Sequence, residues 1–325
     1  MTRFLISRVF WAIWLFFVAT FLTYVIFFLI PNDPARITGF GIVASPAVMA
    51  HIRSQLHLDV PAYQQYWIFV WNMIRHQSLG YSYEYGASVR WVIAQDAPVT
   101  GSLVFGAMFF WFLLAIPVGI VSALRPRSLF DRFSMVFVLI GISAPAVWIG
   151  LILAYIFGFR LGWVPIADYC DFFPHGVGGQ CSGPGRWASH LILPWATMTF
   201  LYAALYARMI RASILEVVNE DYVRTAWAKG SSSRRVTVHH VLRNSMLPVV
   251  TLLGLNIAYS LGTVLFIEEV FNLHGLGAEM VTSANRSDVP VVVGIVVFVT
   301  LVVIVSNFIV DVACAWLDPR IRLTS

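Results

Sequence analysis

The chain has 325 residues, of which 59% are hydrophobic and only 11% are charged. A soluble domain carries about 25% charged residues, so this composition excludes a soluble globular protein and indicates one whose solvent is mostly lipid. The net charge of +5 does not indicate a nucleic-acid-binding protein, because the basic residues are scattered among apolar runs long enough to span a membrane.

Six apolar runs reach the roughly 20 residues that a helix needs to cross a bilayer. The first follows a short basic start, is too long for the apolar region of a signal peptide, and is interpreted as an uncleaved anchor. The sequence therefore predicts an all-α integral membrane protein with six transmembrane helices, at residues 9–30, 99–123, 133–158, 191–210, 246–268 and 289–316.

These spans predict three regions. Residues 1–98 comprise the anchor helix and a long outer segment, and residues 317–325 form a short tail. Residues 99–316 form a five-helix core that includes a basic loop at 211–245.

The distribution of basic residues predicts the orientation. The segments assigned to the cytoplasm hold 14 Lys and Arg residues in 64 positions, whereas the outer segments hold 7 in 120. Because Lys and Arg are enriched in cytoplasmic loops, this roughly fourfold difference in density places both termini and the loop at 211–245 in the cytoplasm.

The long outer segment contains one amphipathic helix pattern, PAYQQYWIFVWNMIRH. Its apolar face is formed at helical spacing by Tyr63, Tyr66, Trp67, Val70 and Ile74. The helix either packs on the rest of the protein or lies at the outer membrane surface, where Trp67 and Trp71 would anchor it.

Cys170 and Cys181 flank a Gly-rich loop on the outer, oxidising side. A disulfide there would constrain the loop by about 2–3 kcal/mol, and two free thiols are the alternative. His175, inside the loop, is interpreted as a polar loop residue. The sequence contains no C-x-x-C pair or Cys/His cluster that indicates a metal site.

The basic stretch DYVRTAWAKGSSSRRVTVHHVLRNSMLP, residues 221–248, predicts two short helices. Asp221 caps the first helix or places a negative charge at its N-terminus. Lys229 followed by Gly230 predicts its end. The second helix is expected to end before Pro248. The first helix either docks on another protein or rests on anionic lipid headgroups.

The fragment RTAWAKG followed by LRNSMLP resembles the EAA loop of permease subunits in ABC importers. The places of the EAA pattern are occupied by Thr225, Ala226, Gly230, Leu247 and Pro248. Arg224 replaces the acidic first residue, and the gap before Leu-Pro is longer than in the general pattern. Both departures are typical of the dipeptide/oligopeptide/nickel branch. The fragments RPRSLFDR, GISAPAVWIGLIL, EEVFNLHGLG, SDVPVVVG and LDPRIR resemble further landmarks of that branch, although His274 stands where a proline is usual.

The resemblance implies a permease of the first type, with a long outer loop after the first span, in the cytoplasmic membrane of a bacterium. In such subunits the EAA helices lie between spans 4 and 5, fit a cleft on a cytoplasmic ATPase and transmit its motion to the spans. The residues to which this coupling role would fall here are Asp221, Arg224, Thr225, Ala226, Gly230, Leu247 and Pro248.

The resemblance also implies a set of partners. The ATPase partner is two subunits or one fused pair, and it binds ATP and Mg²⁺. The membrane partner is a second copy of this chain or a different homologous permease. The other partners are an extracytoplasmic substrate-binding protein or lipoprotein, and membrane lipid. The implied cargo is a di- or oligopeptide, with a nickel chelate or another small solute as the alternative.

The fifth span carries small residues at four-residue spacing, which let two helices approach closely. Together with two polar neighbours they predict a contact with a partner permease or a part of the pathway, with packing inside the chain as the alternative. These residues are Gly254, Asn256, Ala258, Tyr259 and Gly262. At the outer end of this span, Glu268, Phe271, Gly275 and Gly277 either face a substrate-binding protein or form an ordinary helix end and turn.

No catalytic group or bound cofactor is expected in this chain. The centres of the spans carry no Asp, Glu or His, which disfavours a proton-coupled secondary carrier. A membrane-embedded enzyme is disfavoured because no Ser/His/Asp grouping or H-E-x-x-H motif occurs. The sequence also lacks a P-loop, so ATP would be bound by partner subunits. The expected function is that of a non-catalytic subunit forming half of a translocation pathway.

Overall fold

A computed structural model describes residues 2–26, 60–82, 84–173, 181–232, 235–286 and 288–317, which are mostly helical. The end of the first predicted span, His175 and residues 318–325 of the predicted tail lie outside these ranges. In chain order the helices are α1 (Thr2–Tyr24), α2 (Ala62–His76), α3 (Val89–Leu124), α4 (Leu129–Ser143), α5 (Ala146–Leu153), α6 (Pro184–Val217), α7 (Asp221–Ala228), α8 (Arg243–Val270), α9 (Leu276–Asn285) and α10 (Val289–Leu317).

Within the described ranges, two π-helical segments of seven residues each interrupt the α-helical pattern. Ala154–Arg160 extends α5, and Val236–Leu242 runs directly into α8. Between α2 and α3, the short strands β1 (Tyr81–Ser82) and β2 (Ala87–Ser88) pair as an antiparallel hairpin.

Five helices of the described ranges are long and apolar enough to cross a membrane, and a bent pair makes six if it is counted as one span. This pair is α4 with α5 and its π-helical extension, and its two parts meet at 109°. The sequence predicted one helix over 133–158. The structure differs because a residue before proline avoids the helical conformation. Ala144 accordingly has an extended ψ of 131°, and α5 restarts after Pro145.

Contacts divide the chain into two compact units, one of residues 1–99 and 275–308 and one of residues 100–274 and 309–325. The core of the first unit consists of Val89, Val92, Ile93, Leu276, Val291 and Ile295. Side-chain hydrogen bonds fasten the hairpin in this unit. Ser82 donates to Asp288 at 2.5 Å, and Tyr85 donates to Glu279 at 2.8 Å. Burial, together with the bond to Glu279, raises the pKa of Tyr85 above its ordinary value, so its hydroxyl remains a donor.

The second unit is built around α6, since 56% of the residues in the most apolar window of this helix are buried. Glycines on the neighbouring helices allow this close packing. A Cβ atom added to Gly119 of α3 would lie 2.7 Å from Cγ2 of Ile210, and one added to Gly141 of α4 would lie 2.8 Å from Cβ of Ala204. Small residues at such contacts are how helices in a membrane approach one another closely.

Candidate functional site

The short helix α7 lies in the loop between α6 and α8. Glu220 is its N-cap residue and Asp221 is its first helical residue, so Asp221 places a negative charge in the first turn rather than capping the helix. Lys229 follows the last helical residue, and Gly230 has a φ of 76°. Glycine adopts this left-handed conformation without strain, which explains why α7 ends there, as the sequence predicts.

The two faces of α7 differ in exposure. Val223 and Ala226 are buried, with 0% and 8% of their surface exposed, and α7 contacts the π-helical segment that precedes α8. The rest of the surface of α7, which we call its exposed face, carries Tyr222, Arg224, Thr225 and Trp227, and Lys229 is exposed at the C-cap. Asn244, near the start of α8, donates a hydrogen bond of 2.8 Å to the Tyr222 hydroxyl. The EAA-like residues of α7 therefore differ in exposure. Ala226 packs against the rest of the unit, whereas Arg224 and Thr225 are exposed.

The predicted break before Pro248 is wrong. The second helix begins in the π-helical segment and continues as α8, a helix of 28 residues with Pro248 inside it. Proline is tolerated inside membrane helices, because neighbouring helices, side chains and local backbone adjustments satisfy the carbonyl that loses its donor. Leu247 and Pro248 consequently belong to α8 and not to the exposed face of α7, and the Leu247 carbonyl accepts a bond of 2.9 Å from Thr251.

An ion pair that the sequence analysis did not identify holds the end of α6. The Nε and Nη2 atoms of Arg211 donate to the two carboxylate oxygens of Asp131, at 2.7 and 3.0 Å. The backbone N–H of Arg127 donates to the same carboxylate at 2.9 Å, and the Ser122 hydroxyl is a further donor to it. The fragment RPRSLFDR contains Asp131, but its partner lies 80 residues away in the chain. This network ties the turn between α3 and α4 to the part of α6 that leads into α7.

Three of the five candidate residues of α8 point into the second unit. Gly254 is buried, Ala258 is half-buried, and Asn256 donates to the Tyr206 hydroxyl at 3.1 Å. Asn256 belongs to a layer of polar and aromatic side chains that joins α3, α6 and α8, formed by Trp111, Tyr202, Tyr206, Asn256 and Thr263. The sequence singled out only the residues of α8, since aromatic residues on α3 and α6 look like ordinary core.

The other two candidate residues, Tyr259 and Gly262, face outward. Tyr259 is 72% exposed, and a Cβ atom added to Gly262 would meet no heavy atom of the described residues within 4 Å. Leu255 and Phe266 are exposed on the same side of the helix. We call Leu255, Tyr259, Gly262 and Phe266 the α8 stripe. Packing inside the chain therefore accounts for Gly254 but not for Gly262.

The residues predicted for the outer surface are mostly buried. Glu268 is fully buried and accepts a bond of 2.6 Å from Thr100, and Phe271 is 1% exposed. Gly275 is the buried N-cap of α9, and Gly277 is half-buried in its first turn. Buried side chains cannot meet a separate protein, so the structure favours the helix end and turn. The exposed residues of this turn are Glu269, Asn272 and His274.

Cys170 and Cys181 form a disulfide, with their Cα atoms 5.0 Å apart. The Nε2 atom of His190 lies 3.8 Å from Sγ of Cys181, and its Nδ1 atom lies 3.0 Å from the Ala167 carbonyl oxygen. The three side chains are close enough to ligate one metal ion. Both sulfurs are bonded to each other, however, and therefore offer no thiolate pair to a metal.

Comparison with known proteins extends over the whole chain. Residues 115–323 match the family described as "Binding-protein-dependent transport system inner membrane component", and residues 1–104 match the N-terminal region of such membrane components. A putative peptide transport system permease protein of Brucella abortus is 35% identical over 323 residues, covering 99% of each chain.

Two relatives from Escherichia coli are equally similar. The probable D,D-dipeptide transport system permease protein is 36% identical over 313 residues, covering 92% of each chain. The glutathione transport system permease protein is 35% identical over 322 residues, covering 99% of each chain.

Among solved structures, the MetNI methionine ABC transporter in an inward-facing conformation has a similar fold. The TM-score is 0.55 at 16% identity, over 70% of this chain and 97% of that chain. The apolar helices and the matches to relatives show a multi-pass protein of the bacterial inner membrane. The chain therefore belongs to the inner membrane components of binding-protein-dependent transport systems, the permease subunits of ABC importers.

Proposed function

We propose that this chain forms half of the translocation pathway of an ATP-driven importer of di- and oligopeptides, and that α7 transmits the motion of an ATPase to the spans. The full-length similarity to permeases named for peptides, a dipeptide and glutathione supports the peptide cargo. The chain itself supplies no catalytic group and no cofactor, and ATP and Mg²⁺ are bound by its partners.

The observation that carries the coupling role is the exposed face of α7. Family membership implies an ATPase and a substrate-binding protein as partners. Tyr222 and Trp227 are 41% and 46% exposed, and Arg224 is also exposed. Aromatic residues and arginine are the types that most often dominate protein interfaces, and a guanidinium forms directional pairs with carboxylates. We place two ATPase subunits, or one fused pair, as the partner of this face.

The α8 stripe supports a second membrane partner. Gly262 leaves space for a close approach, flanked by Tyr259 and Phe266. A helix of another permease fits such a surface, because small residues between larger ones let two membrane helices pack tightly. The partner is a second copy of this chain or a different homologous permease, and the two together enclose the pathway.

The proposed membrane arrangement has six spans, with the bent pair of α4 and α5 counted as the third. The excess of Lys and Arg in the segments flanking α7 supports a cytoplasmic location for both termini and for α7. Transport then requires two alternative packings of the spans. Shifting such an equilibrium from 1:99 to 99:1 takes about 5.5 kcal/mol of differential binding by the ATPases.

Two substitutions of Gly230 test the proposal in proteoliposomes that contain the transporter purified together with its partner subunits. The measurement is ATP-dependent uptake of labelled di- and oligopeptides, with a nickel chelate as a competing cargo. We expect Gly230→Arg to lower peptide uptake at least about tenfold, which corresponds to about 1.4 kcal/mol, because a bulky side chain then stands beside the exposed face.

Gly230→Asn is the matched control, since asparagine tolerates the left-handed conformation far better than most residues. It should retain most of the uptake. Normal uptake by assembled Gly230→Arg transporter would contradict the docking role. Transport of the nickel chelate in preference to peptides would contradict the cargo.

A further inference from the structure

One side of α2 is packed against α1. Val70 is 2% exposed, and the Tyr66 hydroxyl donates to the Phe17 carbonyl of α1 at 3.2 Å and lies 3.1 Å from the Thr20 hydroxyl. The Tyr66 ring also makes edge contacts with Phe21 and Tyr24 at the end of α1. These contacts fix α2 to the later part of a membrane-spanning helix.

A second side of α2 exposes large apolar residues. Tyr63, Trp67, Trp71 and Ile74 are 66%, 62%, 56% and 63% exposed, and we call them the α2 stripe. Their spacing of four, four and three residues aligns them along one side of the helix. The sequence grouped Tyr66 and Val70 with them, but at 3.6 residues per turn these two lie beside the stripe, where Tyr66 contacts α1 and Val70 is buried.

The side of α2 opposite the stripe carries polar residues, with one apolar residue, the half-buried Phe69, among them. By the same helical geometry, Asn72 and His76 point away from the stripe, and His76 is exposed. Arg75 marks the boundary between the two sides, with its guanidinium carbon 5.4 Å from the centre of the Trp71 ring. The helix thus has an apolar, aromatic side and a polar side, as a helix lying at a membrane surface requires.

We infer that the α2 stripe lies in lipid at the membrane–water interface, with Trp67 and Trp71 at headgroup level and the polar side in water. Only 11% of the apolar window of α1 is buried within the described chain, so α1 itself presents most of its surface to lipid. Phe21, Leu22 and Ile26, at the end of α1 to which α2 is attached, are half exposed or more. The α2 stripe continues this lipid-facing surface.

The composition of the stripe selects lipid over a protein partner. Tryptophan and tyrosine collect at the level of the headgroups, where an apolar ring meets lipid and its polar atom meets water. Arg75 stacked on Trp71 places its charge where phosphate groups lie. The orientation proposed above would put this interface in the outer leaflet, whereas the lipid contact itself does not depend on that orientation.

Spin labels test this inference in the transporter purified with its partner subunits and placed in nanodiscs of phosphatidylethanolamine and phosphatidylglycerol. Single cysteines replace Trp67 or Trp71 on the stripe and Asn72 or His76 on the polar side, in a Cys314→Ser background with the Cys170–Cys181 disulfide left intact. Collision rates are measured with oxygen, which concentrates in lipid, and with a water-soluble nickel complex.

We expect the labels at 67 and 71 to collide mainly with oxygen and those at 72 and 76 mainly with the nickel complex. Labels at 67 and 71 that meet the nickel complex as often as the controls would overturn the inference, because the stripe would then face water. Labels shielded from both reagents would also overturn it, because a protein would cover the stripe.

Ile74→Cys repeats the measurement on the stripe if a tryptophan variant does not assemble. Peptide uptake by the same preparations separates this inference from the proposed function. A stripe in water with uptake intact would refute only the lipid contact, and a stripe in lipid without peptide uptake would refute only the cargo.

Discussion

At the scale of single residues, Asp131 shows how the chain keeps a charge beside its apolar helices. Its carboxylate accepts bonds from two nitrogens of Arg211, from the Arg127 backbone and from the Ser122 hydroxyl. A carboxylate withdrawn from water needs such partners, because a buried charge left alone costs several kcal/mol. Since Arg211 lies on the part of α6 that leads into α7, the same bonds hold the approach to α7.

Changes to either partner of this pair should lower the thermal stability of the purified protein. Asp131→Asn leaves the guanidinium without its counter-charge and should cost roughly 3 kcal/mol. Arg211→Lys keeps the charge but loses the two-point geometry, and should cost about half as much. The measurement is Tm in detergent. Arg208→Lys, an exposed arginine on the same helix, is the control and should leave Tm unchanged. If Asp131→Asn and Arg211→Lys have the same Tm as the Arg208→Lys control, the ion pair does not stabilise the fold.

At the scale of secondary-structure elements, the packing of α4 on α6 depends on the absence of a side chain at Gly141. A Cβ atom there would lie 2.8 Å from Ala204 and 3.0 Å from the Phe200 carbonyl oxygen. Gly141→Ala should therefore push the two helices apart, at a cost of about 1–3 kcal/mol.

A matched glycine exists in α3 for comparison. A Cβ atom added to Gly101 would meet no heavy atom within 4 Å in the part of the chain that the structure describes. Gly101→Ala should be neutral or stabilise the protein by up to about 1 kcal/mol, because alanine favours a helix over glycine. Tm measurements on both variants check the pair of predictions. If Gly101→Ala lowers Tm as much as Gly141→Ala does, the lower stability of Gly141→Ala is not caused by the close packing of α4 on α6.

The α8 stripe gives a prediction about assembly. Gly262→Trp should sharply reduce co-purification of a second permease, because a large ring would fill the space left for the partner helix. Gly185→Trp, also at an open glycine, is the control and should leave the complex intact. The readout is the stoichiometry of the complex extracted from membranes. Unchanged association of Gly262→Trp would remove the stripe from the interface.

At the scale of the whole molecule, the proposed orientation predicts which residues an impermeant maleimide reaches. In a Cys314→Ser background, Asn272→Cys should react in intact spheroplasts, and Lys229→Cys should react only after the membrane is permeabilised. Both positions are exposed in this chain, so in cells that produce it without the ATPase subunits access to the reagent depends on the side of the membrane. Labelling of position 229 in intact spheroplasts would contradict a cytoplasmic α7.

The features that the sequence predicted well are those set by local chemistry. Apolar runs of spanning length identified the membrane helices, and the Lys229–Gly230 pair identified the end of α7. Each depends on residues within a few turns of one another, so a single stretch of sequence contains the whole signal.

The features that it did not predict depend on distant residues. Asp131 and Arg211 are 80 positions apart in the chain. Glu268 is buried, and the Thr100 hydroxyl that donates a hydrogen bond to it lies 168 positions away. Pro248 looked like a helix end, yet it lies inside α8, because tolerance of a proline is decided by the backbone and helices around it and not by the proline itself.

The uninterrupted helix from Val236 to Val270 has a mechanical consequence. It contains 35 residues and is about 50 Å long, and the Tyr222–Asn244 bond attaches α7 to its first third. If this helix tilts by ~10° about its middle, its two ends move by about 4 Å in opposite directions. Under the proposed function, a force applied to α7 would therefore narrow the translocation pathway at one end while widening it at the other.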